Sequence, residues 1–169
     1  MRVVDCPNHD ERPPGAEISL AVVHCISLPP GQFGGDAIER LFSNRLDPDA
    51  HPYYREIAHL RVSSHYLIRR DGELVQFVPV SRRAWHAGAS CWRGRSRCND
   101  FSVGIELEGT ESVPFEDAQY AVLAQLLASL GLRQMAGHSD IAPGRKTDPG
   151  AHFDWLRVLT ALVSTRPSI

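Results

Sequence analysis

Apolar positions along this chain fall into runs of two kinds, and their periods separate strands from helices. Residues 17–24 are nearly continuous in Ile, Leu, Ala and Val, the pattern of a strand buried on both faces. Residues 66–70 and 73–78 carry strand-type alternation instead, and the Asp71-Gly72 pair between them favours a tight hairpin turn. Residues 83–87 read as a third extended piece before a long polar loop over 88–100, and 101–108 return to strand. Helical spacing occurs three times. Asp36-Ala37-Ile38-Glu39 reads as a capping box, with Ile38, Leu41 and Phe42 as the buried stripe of a short helix. Residues 116–130 put Val122, Leu123, Leu126, Leu127 and Leu130 on one face, with acids in the first turn to suit the helix dipole. Residues 152–163 are expected to bury Trp155, Leu156, Leu159 and Val163. Residues 1–15, polar and closed by Pro13-Pro14-Gly15, read as an irregular N-terminal arm. Residues 46–58 read as loop, and 58–64 as a short strand or an irregular approach to the hairpin.

The order strand, helix, strand, hairpin, strand, helix, loop, helix predicts an α/β fold: a single domain over residues 1–169 with a central sheet flanked by helices. The sheet is expected to be mixed or largely antiparallel. At 169 residues the chain is long enough for one self-sufficient core. A formal net charge of -2 gives no reason to expect nucleic acid or an anionic membrane as partner. No apolar stretch approaches the roughly 20 residues of a membrane span. The N-terminus has no apolar core of about 7–15 residues as in a secretory signal, so the expected location is cytoplasmic. Cys6, Cys25, Cys91 and Cys98 include no C-x-x-C pair and are expected as reduced thiols.

Candidate chemistry concentrates in residues 137–150. Gly137, Gly144 and Gly150, with Pro143 and Pro149, frame His138, Lys146 and Asp148 in what reads as a stiff, ordered loop. A catalytic zinc takes three protein ligands and keeps one open position. His24, where the apolar strand gives out, is the best source of a third ligand. Spacing alone leaves other readings open. Any of the eight histidines fits a hydrogen-bonded or surface role, His59 and His65 mimic a ligand pair, and Asp148 fits an N-cap of the last helix.

Four stretches together carry a resemblance: Val22-Val23-His24, His86-Ala87-Gly88, Cys98-Asn99-Asp100-Phe101-Ser102-Val103-Gly104-Ile105-Glu106, and Gly137-His138 through Lys146-Thr147-Asp148-Pro149-Gly150. They resemble the zinc-dependent N-acetylmuramoyl-L-alanine amidase type 2 family, whose fold is similar to that of T7-type lysozymes and peptidoglycan recognition proteins. The similarity runs over about residues 5–163 and leans toward the cytoplasmic branch that recycles anhydro-muropeptides. It implies one Zn2+ per chain held by His24, His138 and Asp148. It also implies that Glu106 is the general base and Lys146 the stabiliser of the oxyanion. Cys25 is a departure, since the recycling branch carries asparagine there, and it puts a polar substrate contact from that position in doubt.

The implied set is chemically coherent. Zinc acidifies water and polarises a carbonyl, a nearby carboxylate shuttles the proton, and an ammonium two residues from a ligand can face the developing negative charge. Glu106 and Glu108 share one face of their strand, about 6–7 Å apart, so they cannot serve one water equally. The resemblance selects Glu106 and leaves Glu108 a rim or structural acid. For substrate contacts, Arg61 and Arg97 lie beside motifs and suit peptide carboxylates, while Trp85 suits a sugar ring. The first expectation is hydrolysis of the lactyl–L-alanine amide in anhydro-muropeptides by a cytoplasmic monomer. The alternatives are an autolysin or endolysin acting on intact murein, and a peptidoglycan-binding module without activity. The full ligand set argues against the last, and the missing leader and wall-binding domain argue against export.

Overall fold

The two long apolar runs become the centre of a sheet. The computed structural model describes residues 1–164. In chain order its strands are β1 (Arg2–Val3), β2 (His9–Glu11), β3 (Leu20–Ile26), β4 (Tyr66–Ile68), β5 (Leu74–Gln76), β6 (Arg82–Ala84), β7 (Cys91–Trp92), β8 (Arg95–Ser96), β9 (Ser102–Glu108) and β10 (Met135–Gly137). Its helices are α1 (Ala37–Phe42), α2 (Pro52–Ile57), α3 (Asp117–Leu130), α4 (His138–Ile141) and α5 (Trp155–Ser164). Among the described residues six strands form the main sheet in the order β1-β5-β4-β9-β3-β10. The sheet is mixed and mainly parallel: the β4–β5 hairpin is its antiparallel pair, while β1–β5, β4–β9, β9–β3 and β3–β10 run parallel. The segments bearing α1–α2 and α3 are the long crossovers of a parallel sheet, and each passes over one strand: β3 to β4 across β9, and β9 to β10 across β3.

Side-chain alternation then sorts the two faces. Ala21, Val23, Val103, Ile105 and Leu107 pack with Leu123 and Leu127 of α3 and Val158 of α5. Leu20 and Val22 point the other way, toward Ala87, Phe101, Ala136 and Ile141. On that second side Leu67, Val75 and Phe77 pack with Ile38, Phe42 and Tyr54 from α1 and α2. His24 and Glu106 have the parity of Leu20 and Val22, so they face away from α3. No helix among the described residues is long and apolar enough to cross a membrane.

Several expectations need correction. The N-terminal arm is not irregular throughout, because β1 adds to β5 and β2 pairs with β6. The 46–58 segment contains α2, with Pro52 in its first turn and the His51 ring accepting from the Tyr53 amide. The polar 88–100 loop holds the β7–β8 hairpin. The capping box at α1 does not form: Asp36 binds Arg40 at 2.7 Å, and Glu39 is taken by Arg2 and Arg69. In α5 the phase was wrong, since Val158 is buried while Leu156 is 73% and Leu159 48% exposed. The four cysteines are free thiols.

One polar network ties the edge of the sheet to its centre. Buried Arg69 reaches Glu108 at 3.0 Å and Glu39 at 2.7 Å, and Arg2 joins Glu39 and Glu73. Glu108 is buried and also accepts from the backbone of Gly34 at 2.6 Å and Arg70 at 3.2 Å. The bonds from Arg2, then from Arg69, hold the Glu39 carboxyl down at about 2. A carboxylate with a depressed folded pKa stabilises above its unfolded value and loses that contribution as pH falls through the folded one. Urea titrations should therefore show wild-type stability dropping between about pH 4.5 and 2, with a shallower drop in Glu39→Gln. Arg69→Ala strands the Glu108 charge, and should cost about 3–5 kcal/mol at neutral pH in the same titrations.

Candidate active site

Three parallel strands end side by side, and their ends carry the chemistry. The register aligns His24 of β3 with Glu106 of β9, and Val23 with Gly137 of β10, so His138 follows immediately beside His24. Sites in open sheets favour the carboxyl ends of parallel strands for this reason: several side chains converge there as the backbone diverges. His138 opens the one-turn helix α4, which corrects the reading of 137–150 as loop throughout. Gly137 is needed at this junction, because a Cβ there would lie 2.8 Å from Cδ of Pro149. Asp148 comes back to the same point, its carbonyl accepting from the Ser139 amide at 2.9 Å. It does not cap α5, where Asp154 accepts from the Arg157 amide instead.

The donor atoms form a nearly equilateral triangle. His24 Nδ1 lies 3.0 Å from His138 Nδ1 and 3.1 Å from Asp148 Oδ2, and His138 Nδ1 lies 3.2 Å from the same oxygen. Tetrahedral ligands at roughly 2.0–2.1 Å from a common ion stand about 3.3 Å apart, so the residues fit a small divalent metal with two imidazoles and one carboxylate. Burial lowers the His24 pKa, with Asp148 opposing, so its imidazole is a neutral lone-pair donor. Burial alone would raise the Asp148 carboxyl, but the imidazoles of His138 and His24 against it hold it well below the usual range.

These groups line a cavity of about 560 Å3 together with Glu106, Lys146, Cys25, Tyr53 and Trp85. Glu106 is 9% exposed, and its Oε2 has no hydrogen-bond partner among the described residues. Burial, then the nearby Asp148 charge, push its pKa well above the ordinary carboxylate range, against the pull of Lys146. A buried carboxylate oxygen left free beside three convergent donors is poised to exchange a proton with something in the cavity. Its strand neighbour Glu108 is satisfied by Arg69, Gly34 and Arg70. Burial raises the Cys25 thiol far up, so it presents a neutral surface to the cavity.

The structure thus brings together His24, His138, Asp148, Glu106, Lys146 and Trp85. It does not bring the two chosen arginines to the cavity lining. Arg61 folds onto the carbonyls of His59 and Leu60, and Arg97, 70% exposed, pairs with Asp100 at 3.2 Å. Proximity in sequence to a motif did not translate into proximity in space. His86 is the residue that sequence reasoning passed over. It lines the cavity, its Nδ1 lies 2.9 Å from His24 Nε2, and burial followed by its histidine neighbours presses its pKa well down, leaving a neutral ring. The His86-Ala87-Gly88 stretch was the available signal.

Comparison with known proteins bears on what such a site is for. A family model described as N-acetylmuramoyl-L-alanine amidase matches residues 14–151. The chain is 58% identical over 162 residues to the 1,6-anhydro-N-acetylmuramyl-L-alanine amidase AmpD of Citrobacter freundii, covering 92% of this chain and 87% of that one. Identity to the Escherichia coli K12 protein of the same name is 57% over 162 residues, with 92% and 88% covered. A crystal structure of a selenomethionine AmpD derivative superposes with a TM-score of 0.93 at 56% identity, covering 95% of this chain and 93% of that one.

The different environments of the two acids predict opposite responses to neutralisation. Glu108→Gln gives up charge-assisted bonds and should destabilise by about 1.5–3 kcal/mol. Glu106→Gln replaces a buried carboxyl whose Oε2 has no partner among the described residues, and its unfolding midpoint in denaturant should stay at or above wild type.

Proposed function

This chain belongs to the N-acetylmuramoyl-L-alanine amidase family, and from that premise we propose that it is a zinc-dependent amidase of cell-wall recycling. It cleaves the amide bond between the lactyl group of 1,6-anhydro-N-acetylmuramic acid and L-alanine in muropeptides. The observation that carries the reading is the triangle of His24 Nδ1, His138 Nδ1 and Asp148 Oδ2 beside the free Oε2 of Glu106. One Zn2+ per chain is held by those three donors; when bound, it supplies a Lewis acid that polarises the scissile carbonyl and acidifies water toward a pKa of about 7.

Each further step belongs to the chain's own groups. Glu106 Oε2 takes the proton of the attacking water and later delivers it to the departing nitrogen of L-alanine. Its pKa, raised by burial and the nearby Asp148 charge, strengthens its hold on the proton it takes from water, and Lys146 pulls the other way. Lys146, exposed at the cavity wall two residues from Asp148, turns its ammonium toward the negative charge that develops on the carbonyl oxygen. Trp85 supplies an apolar wall for the sugar. Arg61, between the lining residues Leu60 and Val62, is retained for a stem-peptide carboxylate after a side-chain swing; Arg97, engaged with Asp100, is not assigned. The protein acts as a cytoplasmic monomer in this reading.

Metal analysis should find about one zinc per chain, and undiminished zinc in a His24→Ala, Asp148→Ala double mutant would refute the ligand set. Glu106→Ala should keep its zinc and lose on the order of 10²–10⁴ in kcat, the usual share of general acid–base catalysis. Mass spectrometry of products from anhydro-muropeptide and from intact sacculi, run side by side with and without chelator, tests the substrate. Soluble anhydro-muropeptide should be cut faster, and only without chelator; equal release from sacculi would support an enzyme of intact murein instead.

A further inference from the structure

We propose that His86 is a positioning residue that holds His24 in the tautomer whose Nδ1 lone pair faces His138 and Asp148. It does so through a directed hydrogen-bond chain that ends on the Cys98 carbonyl. The inference rests on the reading of His24 as a metal ligand through Nδ1.

The direction of every bond follows from the far end of the chain. The Cys98 carbonyl can only accept, and the Ser102 hydroxyl, 2.6 Å away, donates its single proton there. Ser102 Oγ is then left with lone pairs for His86 Nε2 at 3.2 Å, so that nitrogen carries the proton. In a neutral imidazole the other nitrogen is an acceptor. His86 Nδ1 therefore accepts from His24 Nε2 at 2.9 Å, and the Nδ1 of His24 keeps its lone pair for the metal. The neighbouring residue treats the second ligand the same way: the Ala87 carbonyl, also an obligate acceptor, lies 3.3 Å from His138 Nε2. One dipeptide thus sets the tautomer of both imidazoles.

The surroundings hold that dipeptide in place. Asn99 Oδ1 accepts from the His86 amide at 3.2 Å and the Ala87 amide at 2.8 Å, and Arg145 donates to the Ala87 carbonyl at 2.9 Å. Gly104 has no Cβ, which would otherwise lie 2.4 Å from Cγ of His86 and displace the ring. Asn99, Ser102 and Gly104, three motif residues that touch no donor of the triangle, acquire a common purpose. Partners behind a metal-bound histidine typically change metal affinity by 10–100-fold when removed.

The test is zinc affinity, measured by chelator competition, in His86→Phe and His86→Asn. The phenylalanine keeps a ring but offers no acceptor, and zinc should bind about 10–100-fold more weakly. The asparagine oxygen restores an acceptor near the Nδ1 position and should recover most of the loss. Zinc binding as tight as wild type in His86→Phe overturns the proposal, as does an asparagine variant no better than the phenylalanine one, which would assign the loss to packing. Independently of any variant, long-range 1H–15N spectra of zinc-loaded wild-type protein should show His86 protonated at Nε2 and bare at Nδ1. A proton on Nδ1 overturns the proposal even if His86→Phe does not fold. A wild-type protein that binds no zinc refutes the metal reading beneath it, so the two failures are distinguishable.

Discussion

The parallel register of β10, β3 and β9 is the constraint on which the rest depends. It sets Val23 against Gly137 and His24 against Glu106, so one row across the sheet places two imidazoles and a carboxylate at neighbouring strand ends. A slip of one residue in either pairing would turn a functional side chain onto the face packed by α3 and α5. The apolar residues on the β3 and β9 faces prevent that slip, since each has its own layer to fill. The hydrophobic core thus stabilises the molecule and aims its chemistry through the same contacts.

The site is costly on its own terms. His24, His138 and Glu106 are buried, and among the described residues one Glu106 oxygen has no partner, a condition that a purely structural interior avoids. Nearby, the equally buried Glu108 shows how the same strand satisfies a carboxylate when its place is structural, with one guanidinium and two backbone amides. The contrast between two acids two residues apart separates a group kept for reaction from a group kept for stability. Burial also drives the pKa shifts in one consistent direction, toward neutral imidazoles and a proton-retaining Glu106.

Around these groups the fold supplies rigidity from distant places. Arg69 joins Glu39 and Glu108 and so links α1 to the carboxyl end of β9. Asn99 and Arg145 clamp the His86–Ala87 backbone, Asn99 at its two amides and Arg145 at the Ala87 carbonyl. Short loops pinned at both ends in this way lose little further freedom when a ligand arrives, which favours precise placement of reacting groups.

Much of this was legible in the chain. Continuous apolar runs marked the central strands, the Asp71-Gly72 pair marked the hairpin, and 3.6-residue spacing marked α3, because each signal is local and its period is set by backbone geometry alone. The ligand trio was legible only through motifs read jointly, since no single histidine differs from another by composition. Tertiary structure decided the remainder. Three-residue β10 carries too little pattern to announce itself, yet its pairing with β3 delivers His138. The α5 stripe was misphased because Leu156 and Val158 are equally apolar, and only the position of α3 selects which one is buried. Arg61 and Arg97 sit beside motifs but do not line the cavity, while His86 and Asn99, 13 residues apart, meet through the Asn99 side chain. Sequence fixes what a short stretch can do with its own backbone; which distant side chains then share a cavity depends on how the strands register.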